Sequence, residues 1–124
     1  MAGNEEKAII NIQWDNSIDD KLKVSAGSDL EIIKNQVKNG IAQLWHCTWK
    51  NNEAYVVTRI EKLGVGYELC LVLGEGSGFF EFAPEFLKFA KRQNIGFRTH
   101  VKRAGLIRMW SKLCVNIDEY VLRG

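Results

Sequence analysis

Residues Leu71 to Phe80 read LVLGEGSGFF: an apolar strand, then Gly74, Gly76 and Gly78 at alternate positions with Glu75 among them, then an aromatic helix start. A glycine-rich passage from strand to helix has two readings. Unsatisfied backbone N–H groups at a helix N-terminus attract anions, and glycine lets the backbone approach a phosphate closely. Alternatively, residues 74–78 are a tight turn whose glycines relieve backbone strain. A short glycine-rich run alone does not separate the two.

Working outward, the preceding residues 67–73, YELCLVL, are almost continuously apolar, which suits a central strand covered on both faces. Upstream, 41–49 (IAQLWHCTW) and 54–62 (AYVVTRIEK) are rich in strand formers and are separated by Lys50–Glu53. Gly64 to Gly66 makes the next turn, so the three strands form antiparallel hairpins. Further back, Ser28-Asp-Leu-Glu31 reads as a capping box, with Leu30, Ile33 and Val37 at helical spacing and Gly40 as terminator, giving a helix over 28–39. Residues 8–14 are a first strand, and 15–27 are polar and irregular.

Downstream, Phe79, Phe82, Phe86 and Phe89 recur on one helix face, a stripe that fits a core. Pro84 is tolerated in a first turn, so the regular helix is expected from Ala83. Residues 97–102 are a strand, 104–113 a short helix burying Leu106, Ile107, Trp110 and Leu113, and 117–122 a last strand. The helix between strands 67–73 and 97–102 is long enough for a parallel crossover. The fold class is α/β: a mixed sheet of antiparallel hairpins plus one βαβ crossover, with helices on both faces.

At 124 residues the chain reads as a single domain, 1–124, with 1–27 as a strand plus an irregular segment. No apolar run approaches a membrane span, and MAGNEEKAII lacks the pattern of a secretory leader. Cys47, Cys70 and Cys114 lie far apart, which argues for a reducing, cytoplasmic setting and against a disulfide frame or a zinc site. His46 and His100 show no metal-ligand spacing. The net charge is +2, yet eight of the 17 Lys and Arg, and no acid, fall between Phe86 and Ile117. The basic segment 88–112 therefore suggests an anionic partner, or else solvated helix faces. Nucleic-acid binding is disfavoured: Phe97 and Trp110 occupy apolar positions, and a pI of 8.4 is modest.

The element order, with EAYVVTRIE, LCLVLGEGSGFFEFAPEFLKFAKRQNIGF and KRAGLIRMWSKLCVNIDEYVLRG, resembles the GNAT superfamily of acyl-CoA N-acyltransferases, and more narrowly the short GNAT-like proteins of tailed phages. The similarity covers residues 28–122. It implies acetyl-CoA or CoA as ligand, an amine or protein as acceptor, and a virion or host-cytoplasm setting if phage-encoded. The implied CoA contacts are Leu71, Leu73, Gly76, Ser77, Gly78 and Arg103. Glu68, the acid of the third hairpin strand, is the candidate general base for the amine, with a solvent-facing Glu68 as the alternative.

Two departures stand out. Glu75 takes the place of the family's Arg or Gln, putting an acid where a diphosphate would sit. Trp110, Cys114 and Val115 stand where the family has its acid tyrosine and Gly-Phe pair, and an indole N–H is no usable acid near neutral pH. Ser111 and Tyr120 are the possible substitutes. The alternative function is a GNAT-like binding protein without catalysis, directed at a host factor or built into a virion; nucleic-acid binding ranks third.

Overall fold

Strong strand formers joined by two-residue turns build the centre of the molecule, as a computed structural model shows. It describes residues 6–100, 116–118 and 121–123. The expected helix over 104–113, with Arg103, Trp110, Ser111, Cys114, Val115 and Tyr120, lies outside the described residues.

β2 (Gln43–Trp49), β3 (Asn52–Leu63) and β4 (Gly66–Gly76) form consecutive antiparallel hairpins, and β1 (Ala8–Ile12) adds to the outer edge of β2. Gly64 takes φ +60° in the β3–β4 turn, a conformation glycine adopts without a Cβ penalty. α3 (Phe79–Arg92) then carries the chain to β5 (Gly96–His100), which pairs parallel to β4. The expected last strand is two short ones, β6 (Asn116–Asp118) and β7 (Val121–Arg123). Among the described residues the sheet has seven strands in the order β1-β2-β3-β4-β5-β7-β6. The mixed sheet with a single βαβ crossover is thus as the residues imply.

Strand alternation sorts side chains to two cores. One face packs Val56, Leu69 and Leu71 against Phe82, Phe86, Leu87 and Ala90 of α3. The other packs Leu44, Val57 and Leu73 against Ile18 and Leu22 of α1 (Asn16–Ala26) and Ile33 of α2 (Leu30–Lys38). Hence β4 is covered on both sides, and the helices flank the sheet on both faces.

Three local expectations are corrected. The segment 15–27 is mostly helical: Asp15 accepts from the Ser17 N–H and caps α1, whose Ile18, Leu22 and Ala26 are buried at helical spacing. That i, i+4, i+8 pattern is sparse in a polar segment, which hid it. Ser28 does not cap α2; it sits in a 3-10 turn (Gly27–Asp29), and α2 starts at Leu30 with no side-chain cap. Finally, α3 starts at Phe79 rather than Ala83 and runs through Pro84. Phe82 and Ala83, both fully buried, precede the proline, and Phe86 follows it. Burying all three on one face requires continuous helix, which outweighs the hydrogen bond that Pro84 forfeits.

Phe82 is fully buried between α3 and β4. Phe82→Ala is expected to lower the unfolding free energy by about 3–5 kcal/mol in urea denaturation. A loss below about 1 kcal/mol would remove Phe82 from the core that aligns α3.

Candidate functional site

The strand β4 has two halves with different partners. Residues Glu68, Leu69, Cys70 and Leu71 pair with Gly96, Phe97, Arg98 and Thr99 of β5. The Thr99 hydroxyl reaches the Leu71 carbonyl at 3.4 Å. Beyond that point β4 continues to Gly76, paired with β3 on one side. The described part of β5 ends at His100, and Leu71 is the last β4 residue with a described β5 partner.

The division coincides with a β-bulge. Thr58 of β3 pairs with Leu71 and Val57 pairs with Leu73, leaving Val72 as the extra residue on β4. A bulge bends its strand and exchanges the faces of the residues beyond it. Leu69 and Leu71 accordingly face α3, whereas Leu73 faces α1 and α2. LCLVL is apolar at every position, so it has no alternation to break and no mark of the bulge.

The glycine segment is mainly strand, not loop. Gly74, Glu75 and Gly76 pair with Val56, Tyr55 and Ala54 of β3, and the turn itself is Ser77–Gly78. A Cβ on Gly76 (φ +128°) would lie 2.4 Å from the Glu53 carbonyl oxygen and 2.6 Å from the Ala54 Cα. A Cβ on Gly78 (φ +74°) would lie 2.6 Å from the Asn52 Cβ. Both positions demand glycine because β3 presses against them. Ser77 is tied to the same strand: its N–H donates to the Glu53 carbonyl at 2.9 Å, and its hydroxyl accepts from the Glu53 N–H at 3.0 Å.

Gly78 is the N-cap of α3, and its carbonyl accepts from the N–H groups of Glu81 (2.8 Å) and Phe82 (3.3 Å). By helix geometry the N–H groups of Gly78, Phe79 and Phe80 have no acceptor inside the helix. These three donors sit just past the end of β4. Glu75 shares a face with Leu73, and its carboxylate accepts from the Ser25 hydroxyl in the last turn of α1. Its charge is therefore held on the α1 side, on the opposite face of the sheet from α3.

Glu68 lies at the other end of β4, in the half paired with β5. It is buried, 2% exposed, so the solvent-facing reading is excluded. Its carboxylate is 3.6 Å from Arg98 Nε. On the neighbouring strand β3, Glu61 pairs in register with Glu68 and accepts from Arg59 (2.7 Å) and Arg98 (2.8 Å). Arg59 also donates to Gln36 of α2 at 2.8 Å. Burial raises the Glu61 pKa, but the hydrogen bonds from Arg59 and Arg98 outweigh it and hold the carboxyl below its ordinary value. The neighbouring Cys70 and the carboxylate of Glu61 hold the Arg98 guanidinium protonated against burial. The long separation in sequence between Arg59 and Arg98 left this network without a signal in the linear chain.

The remaining candidates group elsewhere. His46 stacks on Tyr55 and lies 2.7 Å from a Glu53 oxygen, on the α1 side of β2 and β3. Burial pushes the Cys47 thiol up to about 12, so it is no nucleophile near neutral pH. Among the described residues no three His, Cys, Asp or Glu side chains are placed to hold a metal ion, and no helix is long and apolar enough to cross a membrane.

A known protein shares this arrangement of strands and helices. The chain matches a solved structure of the toxin AtaT, a tyrosine-to-phenylalanine mutant bound to the C-terminus of the antitoxin AtaR and acetyl-CoA. The TM-score is 0.50 at 11% identity, over 95% of this chain and 92% of that one. The chain has the GNAT fold. No protein-family model matches the sequence, and no curated protein does. The GNAT fold accounts for the order of hairpins, crossover and terminal strands without reference to any shared motif.

The ion network has a pH signature. Glu61's folded pKa lies below its ordinary 4.5, so its stabilisation is complete above that value and is lost as pH falls through the lower, folded value. Urea titrations from about pH 5 down to about pH 3 should show stability falling, and Glu61→Gln should flatten that fall. An unchanged slope in Glu61→Gln would remove Glu61 as the acid-sensitive member.

Proposed function

We propose that this protein binds acyl-CoA in the opening between β4 and β5 and transfers the acyl group to an amine. The observation that carries this reading is the bulge at Val72, which turns β4 just ahead of the α3 N-terminus and beyond the last described partner on β5. An opening there admits an extended pantetheine arm alongside Val72–Gly76. Strand backbone at Leu73 is the proposed source of hydrogen-bonding groups along it, with Leu71 as an apolar side-chain contact, and the N–H groups of Gly78, Phe79 and Phe80 suit a pyrophosphate. Ser77 lies at the same end, although its N–H and hydroxyl face Glu53. Glu75 poses less repulsion than its position suggests, because Ser25 holds it on the α1 side. The fold relative bound to acetyl-CoA supports the choice of ligand. Arg103 is retained as a proposed contact on the strength of the family resemblance.

Bound acyl-CoA would supply an activated thioester. Glu68 is the proposed base that accepts a proton from the incoming amine, and Arg98 beside it orients the carboxylate. The acceptor would approach from the α2 side, where Glu61 and Glu68 both face.

A second reading is favoured by one observation. Gly76, Ser77 and Gly78 are each explained by their contacts with β3, with no ligand required. On that reading the fold is a binding scaffold without catalysis, as the phage-type resemblance implies, acting on a protein partner. The basic segment 88–112 would then serve an anionic partner.

Calorimetry with acetyl-CoA separates them. The acyl-CoA reading expects micromolar binding and at least about tenfold weaker binding of acetyl-pantetheine, which lacks the pyrophosphate. No heat at millimolar acetyl-CoA would leave the binding scaffold. Given turnover with an amine acceptor, Glu68→Gln should lower kcat by about 100-fold or more, whereas Glu61→Gln should change it little. Equal losses in both would make Glu68 part of the ion network only.

A further inference from the structure

On the α3 side of the sheet, away from the β4–β5 opening, a groove of about 500 Å³ runs between α3 and strands β1 to β4. Ile9, Trp45, Ile60, Leu69, Phe86 and Phe89 line it. Ile60 remains 48% exposed and Phe89 37%; Tyr67, two positions before Leu69 on the same face of β4, is 55% exposed. These side chains are apolar area that the fold leaves in contact with water.

The floor makes no polar demand. The buried Thr58 hydroxyl accepts from Trp45 Nε1 at 2.8 Å and donates to Gln43 Oε1 at 3.2 Å. The groove therefore suits apolar side chains rather than a polar small molecule. The same face of β2 runs from Gln43 to Trp49, a distance of about 20 Å, which matches a peptide better than a compact ligand.

The rim is basic. Arg92 and Lys88 stand on the last two turns of α3, and Lys62 lies two residues past Ile60 on the same face of β3. Lys7 and Lys50 sit over the Trp49 ring, at 5.2 and 4.4 Å, near the other end of β2. Among the described residues that line the groove the acid is Glu85, and Lys88 neutralises it at 3.3 Å.

We propose that this groove receives an acidic amphipathic segment of a partner protein, its apolar face against Ile60, Phe89 and Trp45 and its carboxylates on Arg92 and Lys62. The basic frame selects the charge, and the half-exposed apolar lining supplies the anchor points. Docking here does not depend on acyl-CoA binding, since the β4–β5 opening is on the other side of β4.

The test uses the full chain, isotope-labelled for NMR, and a short synthetic helix-forming peptide with Leu and Phe on one face and Glu on the other. Expected are shifts confined to Ile9, Trp45, Ile60, Phe89, Arg92 and their neighbours. Binding should weaken at least about tenfold for Ile60→Lys, for Arg92→Glu, and for the same peptide with Lys replacing Glu. Ile60 and Arg92 are surface positions, and unchanged far-UV circular dichroism would verify folding. Absent shifts, shifts elsewhere, or equal binding of the basic peptide would overturn the proposal. So would binding of phosphatidylglycerol vesicles or dodecanoate at these residues with no response to the acidic peptide.

Discussion

The tight contact between Gly76 and the Glu53–Ala54 backbone governs the rest of the molecule. Because no side chain fits there, the end of β4 stays against β3 up to the turn. The Ser77 N–H and hydroxyl extend that grip by one residue through Glu53. On the other side, the described pairing of β4 with β5 runs to Leu71. The bulge at Val72 passes Leu73 to the opposite core. The start of α3 follows directly on this end of β4.

That arrangement joins stability to function. The two cores hold β4 from both faces. Phe82 and Phe86 fix the beginning of α3, and Ile18, Leu22 and Ala26 fix α1 close enough for Ser25 to engage Glu75. The one charge that would repel a diphosphate is thereby placed on the far side of the sheet. At the other end of β4, Arg59, Glu61, Arg98 and Glu68 form a linked network across three strands. Such a network is costly unless each charge is paired, and its geometry resists relative sliding of β3, β4 and β5. The Glu68 end of β4 thus locks the sheet, whereas the Gly76 end is locked to β3 alone among the described residues.

Most of the architecture was legible in the residues. The three hairpin strands, the α2 helix, the parallel crossover and the apolar centrality of β4 all follow from period, turn residues and composition. Those signals are local, and each recurs several times. The features that were not legible depend on tertiary contact. The helix α1 hides in a polar run with three buried positions. Pro84 misplaces the start of α3, because packing on both sides of it overrides the local preference. The bulge at Val72 leaves no mark in a uniformly apolar strand. For the candidate site, the run of glycines was visible, but its meaning was not. The need for them is set by β3, far earlier in the chain, and the same holds for Ser77. Glu75 looked like an obstacle to an anion until Ser25 was placed beside it.

The central claim is the proposal that β4 beyond Leu71 takes an extended ligand. Amide hydrogen exchange of the protein with and without saturating acetyl-CoA tests it most directly. The account predicts added protection concentrated at Val72–Gly76 and at Gly78–Phe80, with Glu68–Leu71 unchanged because β5 already covers them. Protection confined to other elements while acetyl-CoA is bound, or equal protection before and after at Val72–Gly76, would contradict it.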